Sequence, residues 1–190
     1  MAYKVITPPS VEPVSVAELR VHRRLDALDT TENALIATCI SAAREWIERY
    51  IGAAVAEQTV EIALDAYPTG PIELPGGAVS SVTSVKFFDS AGSEVTLSNL
   101  LYTLDDYSTP NWLLMAYGTT WPTTTYTNAN AIKVRYVVGS GVCPAPVKAA
   151  LLLLAGHLYE NREEVSASQT FALPLGVKAL LASYRVNLGF

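Results

Sequence analysis

The stretch from Pro144 to Glu164, PAPVKAALLLLAGHLYENREE, most limits what this chain can fold into. Its prolines suit a first helical turn, whose N–H groups have no intrahelical partner. Val147, Ala150, Leu151, Leu154 and Leu158 recur at helical spacing, and Leu152, Leu153 and Ala155 carry the apolar surface to nearly every side. A helix of that kind must be covered all round, so the pattern predicts a central, buried helix over about residues 146–164. The apolar run is about half of the roughly 20 residues a bilayer span needs, and Lys148 and His157 stand near its ends. It reads as a core helix, not a membrane helix.

A second long helix is predicted from about Glu32 to Ile51, started by Asp29-Thr30-Thr31 and stopped by Gly52. Ile36, Ile40, Ala43, Ile47 and Tyr50 form its apolar stripe, widened by Leu35, Cys39 and Trp46. Arg44 with Glu48 and Glu45 with Arg49 are i,i+4 pairs expected on the opposite, solvated face. Ahead of it, Ser15 and Glu18 make a capping box for a short helix from about Val16 to Leu25. Residues 1–14, with Pro8, Pro9 and Pro13, read as an extended arm, and MAYKVITPPS holds no apolar run of the kind a secretory signal carries.

Past Gly52 the apolar period changes from that of a helix to that of a strand. Strands are predicted at Thr59 to Leu64, Ile72 to Leu74, Val79 to Phe88, Val95 to Leu97, Tyr102 to Leu104, Trp112 to Met115 and Ala131 to Val138. Pro75-Gly76-Gly77 and Asp89 to Gly92 are turn signals, the latter closing a hairpin. Thr119 to Asn130 reads as a polar, aromatic-studded loop, and Gly139-Ser140-Gly141 ends the series. The chain is therefore expected to be α+β: a helical domain of residues 1–55 and 142–190, with an antiparallel β domain, 56–141, inserted. The two long helices are expected to lie side by side, and a short helix follows at Val177 to Ala182. The last residues, Tyr184 to Phe190, are apolar and aromatic where a free end is ordinarily polar, so they are expected to dock, either on the chain's own core or on another chain.

Half the residues are hydrophobic and 16% charged, a composition that argues against disorder. A net charge of −5 argues against an electrostatic grip on nucleic acid, while leaving room for a surface that DNA slides past. Cys39 and Cys143, far apart in apolar contexts, read as buried reduced thiols.

Candidate chemistry is thin. His157 and Glu160 at i,i+3 lack a second histidine, and a rim histidine beside a solvated charge run accounts for them better than a metal site. Asp105-Asp106 fits a turn better than a paired carboxylate, because neighbours on an extended chain face opposite ways. Ser140 lacks the frame of a nucleophile elbow. No phosphate-binding glycine motif or Cys-x-x-Cys occurs. The reading expects no catalytic, cofactor or metal site. Tyr107, Trp112, Tyr117, Trp121 and Tyr126 leave one alternative open, a carbohydrate-binding or tail-associated recognition face on the β domain.

Taken in order, several segments resemble the head–tail connector or adaptor proteins of tailed phages, the gp6-like connectors. They are Pro13-Val14-Ser15, Ala42 to Tyr50 (AAREWIERY), Gln58 to Glu61, Ile72 to Pro75, Val82 to Val85, Trp121-Pro122, Val134-Arg135-Tyr136, Pro146 to Arg162 and Leu180 to Val186. The resemblance implies a structural virion protein of the neck, made in the host bacterial cytoplasm. It implies a dodecameric ring beneath the portal that extends the DNA channel and gives stopper or tail-completion proteins a platform. DNA would pass the lumen without specific binding, and no membrane is involved. It further implies a portal-docking tail, here Leu180, Leu181, Tyr184, Arg185, Val186, Leu188 and Phe190. Part of the ring interface is placed on Arg44, Glu45, Glu48 and Arg49.

Overall fold

The computed structural model describes residues 1–26, 28–122, 129–139, 141–161 and 175–186. The fold is α+β. Its described residues form two compact units, one drawn from Met1–Ser10 and Ala56–Ser140, the other from Val11–Val55 and Gly141–Asn187.

The helical unit contains α1 (Val16–Arg23), α2 (Asn33–Ile51), α3 (Ala145–Glu160) and α4 (Leu175–Leu181). The Ser15 capping box forms as the sequence predicts: Ser15 Oγ accepts the Glu18 N–H at 3.2 Å and Glu18 Oε2 accepts the Ser15 N–H at 2.8 Å. The start of α2 differs from the sequence pattern. Asp29 spends its carboxylate on the N–H and hydroxyl of Thr31, and α2 begins at Asn33 with no side-chain cap. Helix α3 packs against α1, α2 and α4. Ile36, Ile40, Ala43 and Ile47 of α2 share one core with Val147, Ala150, Leu151 and Leu154 of α3, joined by Leu19, Val177 and Leu181. Fully burying each Leu or Ile there is worth about 1.5–3 kcal/mol. Helix α3 is not covered all round, however: Ala149 is exposed and Leu153 keeps 39% of its surface. Residues 162–164 of the predicted helix lie outside the described residues.

The β unit contains a five-stranded antiparallel sheet in the order β1-β2-β8-β4-β5 and a three-stranded one in the order β3-β7-β6. The strands are β1 (Ala2–Thr7), β2 (Gln58–Leu64), β3 (Ile72–Leu74), β4 (Val79–Phe88), β5 (Glu94–Thr96), β6 (Tyr102–Asp105), β7 (Asn111–Met115) and β8 (Ile132–Val138). Strand β8 buries Ile132, Val134, Tyr136 and Val138, the alternation legible in its sequence. Asn111 is a buried polar clamp: its Oδ1 accepts the Val79 N–H at 2.9 Å while Nδ2 donates to the carbonyls of Asp105 and Ser108. It thereby ties β7 to β4, one strand from each sheet. Residues 2–7 of the expected arm are in fact a strand, with Ala2–Val5 facing Ala63–Val60 of β2. Its side chains are almost all exposed, so backbone pairing holds it and no burial period marks it.

The chain closes on itself where it enters and leaves the β unit. Gly139 has φ +88°, and a Cβ there would stand 2.4 Å from the Ala56 carbonyl oxygen and 2.7 Å from its carbon. Backbone cannot yield as a flexible side chain can. Gly139→Ala is expected to cost more than about 2 kcal/mol. Gly92→Ala, also at positive φ but in open space, should cost only the left-handed strain of about 1–2 kcal/mol. Urea denaturation of the two variants followed by circular dichroism checks the ranking.

Candidate functional site

Among the described residues, those that the sequence singles out for assembly are 44–49 on α2 and 180–186 in the C-terminal segment, all within the helical unit. On α2 they part company. Glu45 and Arg49 are exposed. Arg44 is buried at 6% exposure, contrary to the solvated face predicted for it. Its Nε donates to Glu12 Oε2 and its Nη1 to Glu48 Oε2, each at 2.8 Å. Glu12 also accepts from Ser41 Oγ, and Glu48 Oε1 accepts the Val55 N–H at 2.9 Å. Burial alone would lower the guanidinium's pKa, but the bond to Glu12 and the nearby Glu48 charge outweigh it and raise the value. Arg44 and Glu48 thus fasten the segment around Glu12 and the start of the Val55 connection to α2. Helical spacing revealed the Arg44–Glu48 pair; Glu12, 32 residues away, was beyond its reach.

The described part of the C-terminal segment docks on its own unit, one of the two possibilities its sequence leaves open. Leu181 is fully buried in the core of its own unit, and Leu180 and Tyr184 pack against that core. The Val186 N–H donates to the Ile51 carbonyl at 2.8 Å, satisfying one of the orphan acceptors at the end of α2. The Arg185 guanidinium sits 5.3 Å from the ring centre of Tyr50, itself stacked on Trp46 at 5.1 Å. Val186 is therefore pinned to the C-terminal end of α2. Leu188 and Phe190 lie outside the described residues.

The remaining candidates are dispersed. His157 Nδ1 is 3.2 Å from Asn161 Nδ2, while Glu160 pairs with Arg23. Asp105 accepts from the Tyr107 N–H and Ser108 Oγ, bonds that hold its carboxyl below the usual range, and Asp106 is exposed. This is a turn, not a carboxylate pair. Trp121 stacks on Tyr67 at 4.8 Å and donates to the Gly70 carbonyl. Tyr107 and Tyr117 are exposed beyond opposite ends of β7, about 17 Å of strand apart. Trp112 is half-buried on β7; Tyr126 and Ser140 lie outside the described residues. Among the described residues no group of three or more His, Cys, Asp or Glu is placed to hold a metal, and no helix is long and apolar enough to cross a membrane. Neither cysteine is in a disulfide; Cys39 is buried and Cys143 half-buried.

Two variants separate internal from outward charge. Arg44→Ala should cost about 3 kcal/mol, because it leaves the Glu12 and Glu48 carboxylates without their cation. Arg49→Ala should stay within about 0.5 kcal/mol of the parent in the same denaturation experiment. A second test concerns Glu18, which pairs with Lys148 and so ties α1 to α3. The Lys148 and Ser15 hydrogen bonds lower its pKa to about 2. A depressed folded-state pKa stabilises the fold above the unfolded value and loses that contribution as pH falls toward about 2. Because the pair is largely exposed, the effect is small. Glu18→Gln should flatten the fall in melting temperature between about pH 4.5 and 2, measured by thermal scans across that range.

A family model described as head completion protein matches residues 14–186. Three solved structures share the fold, each covering 100% of this chain and 98% of its own. The neck of an empty gene transfer agent (GTA) particle, computed with C6 symmetry, is 24% identical with a TM-score of 0.81. The virion of a native GTA particle is 25% identical with a TM-score of 0.80, and the native neck, computed with C12 symmetry, 24% with 0.78. No curated protein matches the sequence. The likeness to phage head–tail connectors read from the sequence thus holds, and with the family model spanning all but the two ends, this chain belongs to the head completion protein family.

Proposed function

We propose that the protein is a head–tail adaptor of the virion neck. Its copies assemble head to tail into a ring beneath the portal, extend the DNA channel and give a stopper or tail-completion protein its seat. One observation carries the reading: the whole chain, not a fragment, is similar in fold to structures of a particle neck computed with C6 and C12 symmetry. The helical domain, a bundle around the two long helices with the β domain inserted, is the body of the ring subunit. The acidic balance, −5 over the chain, suits a bore that DNA traverses without adhering. We assign no substrate chemistry to the protein.

Two surfaces serve this role. The outer face of α2, with Glu45 and Arg49 exposed and Glu48 half-buried beside Arg44, forms part of the subunit contact. The C-terminal segment docks on the portal. Leu180, Leu181, Tyr184, Arg185 and Val186 form its root, with Leu181 committed to its own core, while Leu188 and Phe190 supply the apolar anchors. Burying a few such side chains gains about 25 cal/mol per Å² of apolar surface, less the cost of ordering the tail. Repetition around a ring turns a modest contact into a lasting one.

Deleting residues 187–190 spares every core contact of the root. The truncated protein is expected to keep its circular dichroism spectrum and melting temperature, to lose co-elution with purified portal, and to give particles that fail to retain DNA or join tails. Wild-type particle titre from the truncation would remove the docking role.

A further inference from the structure

Helices α1 and α3 bound an open cleft of about 440 Å³ lined by Ala17, Glu18, Val21, His22 and Leu152. Its floor is apolar. Val21 leaves 77% of its surface exposed on a helix of eight residues, and Ala149 and Leu153, one turn apart, continue the apolar surface along α3. This is the uncovered side of the helix whose sequence demands cover on nearly every side. Glu18 in the cleft is neutralised by Lys148. His22 lines the cleft, and the last turn and cap of α1 beside it are basic, with His22 and Arg24 exposed and Arg23 paired with Glu160.

The same unit carries a second, unlike face. Ala34, Ala37, Thr38, Ala42, Glu45 and Arg49 are the exposed positions of α2, spaced three or four apart along one side. Three alanines and a threonine make the first half of that side shallow, so that another helix axis can approach to about 8–10 Å. Glu45, at 3.8 Å from the Arg44 guanidinium, then gives it a carboxylate whose side chain is 58% accessible, followed one turn on by the exposed Arg49.

We propose that the α1/α3 cleft is the receiving face of the subunit contact, and that its occupant is the α2 outer face of a neighbouring copy. The inference rests on the ring reading above and supplies what that reading lacks, the second of the two unlike faces a head-to-tail ring requires. The bulky Val21, Leu152 and Leu153 meet the small Ala34, Ala37 and Ala42, and the basic end of α1 meets Glu45. A cleft facing its own copy would set bulky against bulky and basic against basic, which disfavours a twofold contact.

Three full-length variants test this: Val21→Asp with Leu153→Asp, Val21→Cys with Ala37→Cys, and Val21→Cys alone. Both aspartates replace exposed side chains, so circular dichroism and melting temperature should match the parent. Light scattering, alone and with purified portal, should show at least tenfold less ring than the parent forms. Under mild oxidation the double-cysteine protein should give a ladder of trimers and higher species, the single-cysteine protein no more than dimers at background yield. Rings of the aspartate variant at parental yield would overturn the cleft as the contact while leaving the ring reading intact. Strong dimers from Val21→Cys alone would overturn α2 as its occupant. A parent protein that stays monomeric both alone and on the portal would overturn the ring reading and this inference together.

Discussion

The helical unit depends on the burial of α3 against α2. Residues 36–47 and 147–154, about a hundred positions apart, supply most of one apolar core. Neither helix can leave that face in water, so the chain that departs at Val55 must return by Gly141. The cost of closing so long a loop grows only with the logarithm of its length. That slow growth is what permits a whole β unit to be built between the two halves of a helical core. The tightest point of the arrangement is local: the Ala56 carbonyl and Gly139 stand so close that no side chain fits between them.

Charge is divided by the same packing. The Arg44–Glu12–Glu48 network and the Arg20 bonds to Asn33 and the Asp26 carbonyl hold connecting segments against helices. Both arginines are nearly buried, so removing either strands the acceptors bonded to it. Glu45, Arg49, His22 and Arg24 remain outward. Val21 and Leu153 likewise keep apolar surface in water.

Most elements were legible in the sequence because one face of each is buried. The β8 alternation, the Ser15–Glu18 box, the hairpin turn at Asp89 to Gly92 and the α2 stripe each carry a local physical signal that survives in isolation. The exceptions have a common cause. Strand β1 is held by backbone hydrogen bonds to β2 and buries almost nothing, so its sequence has no period to read. Arg44 passes for a surface residue because its i,i+4 partner is what a surface pair would show, and the residue that closes over it comes from another part of the chain. The apolar C-terminal segment reads as one that docks either on its own core or on another chain, and only the fold shows that Leu181 fills its own core.

The sequence alone determined that this chain is α+β, that two long amphipathic or apolar helices flank a run of strands, and which face of each element is apolar, since periodicity is a property of neighbours. Only the tertiary structure decided which apolar and charged groups are consumed internally and which are left over. That division depends on partners many residues away: Glu12 for Arg44, Ile51 for Val186, and, for Leu153, the lack of full cover on the outer side of α3. No local pattern encodes it, because it is settled by which elements compete for the same surface once the chain has folded.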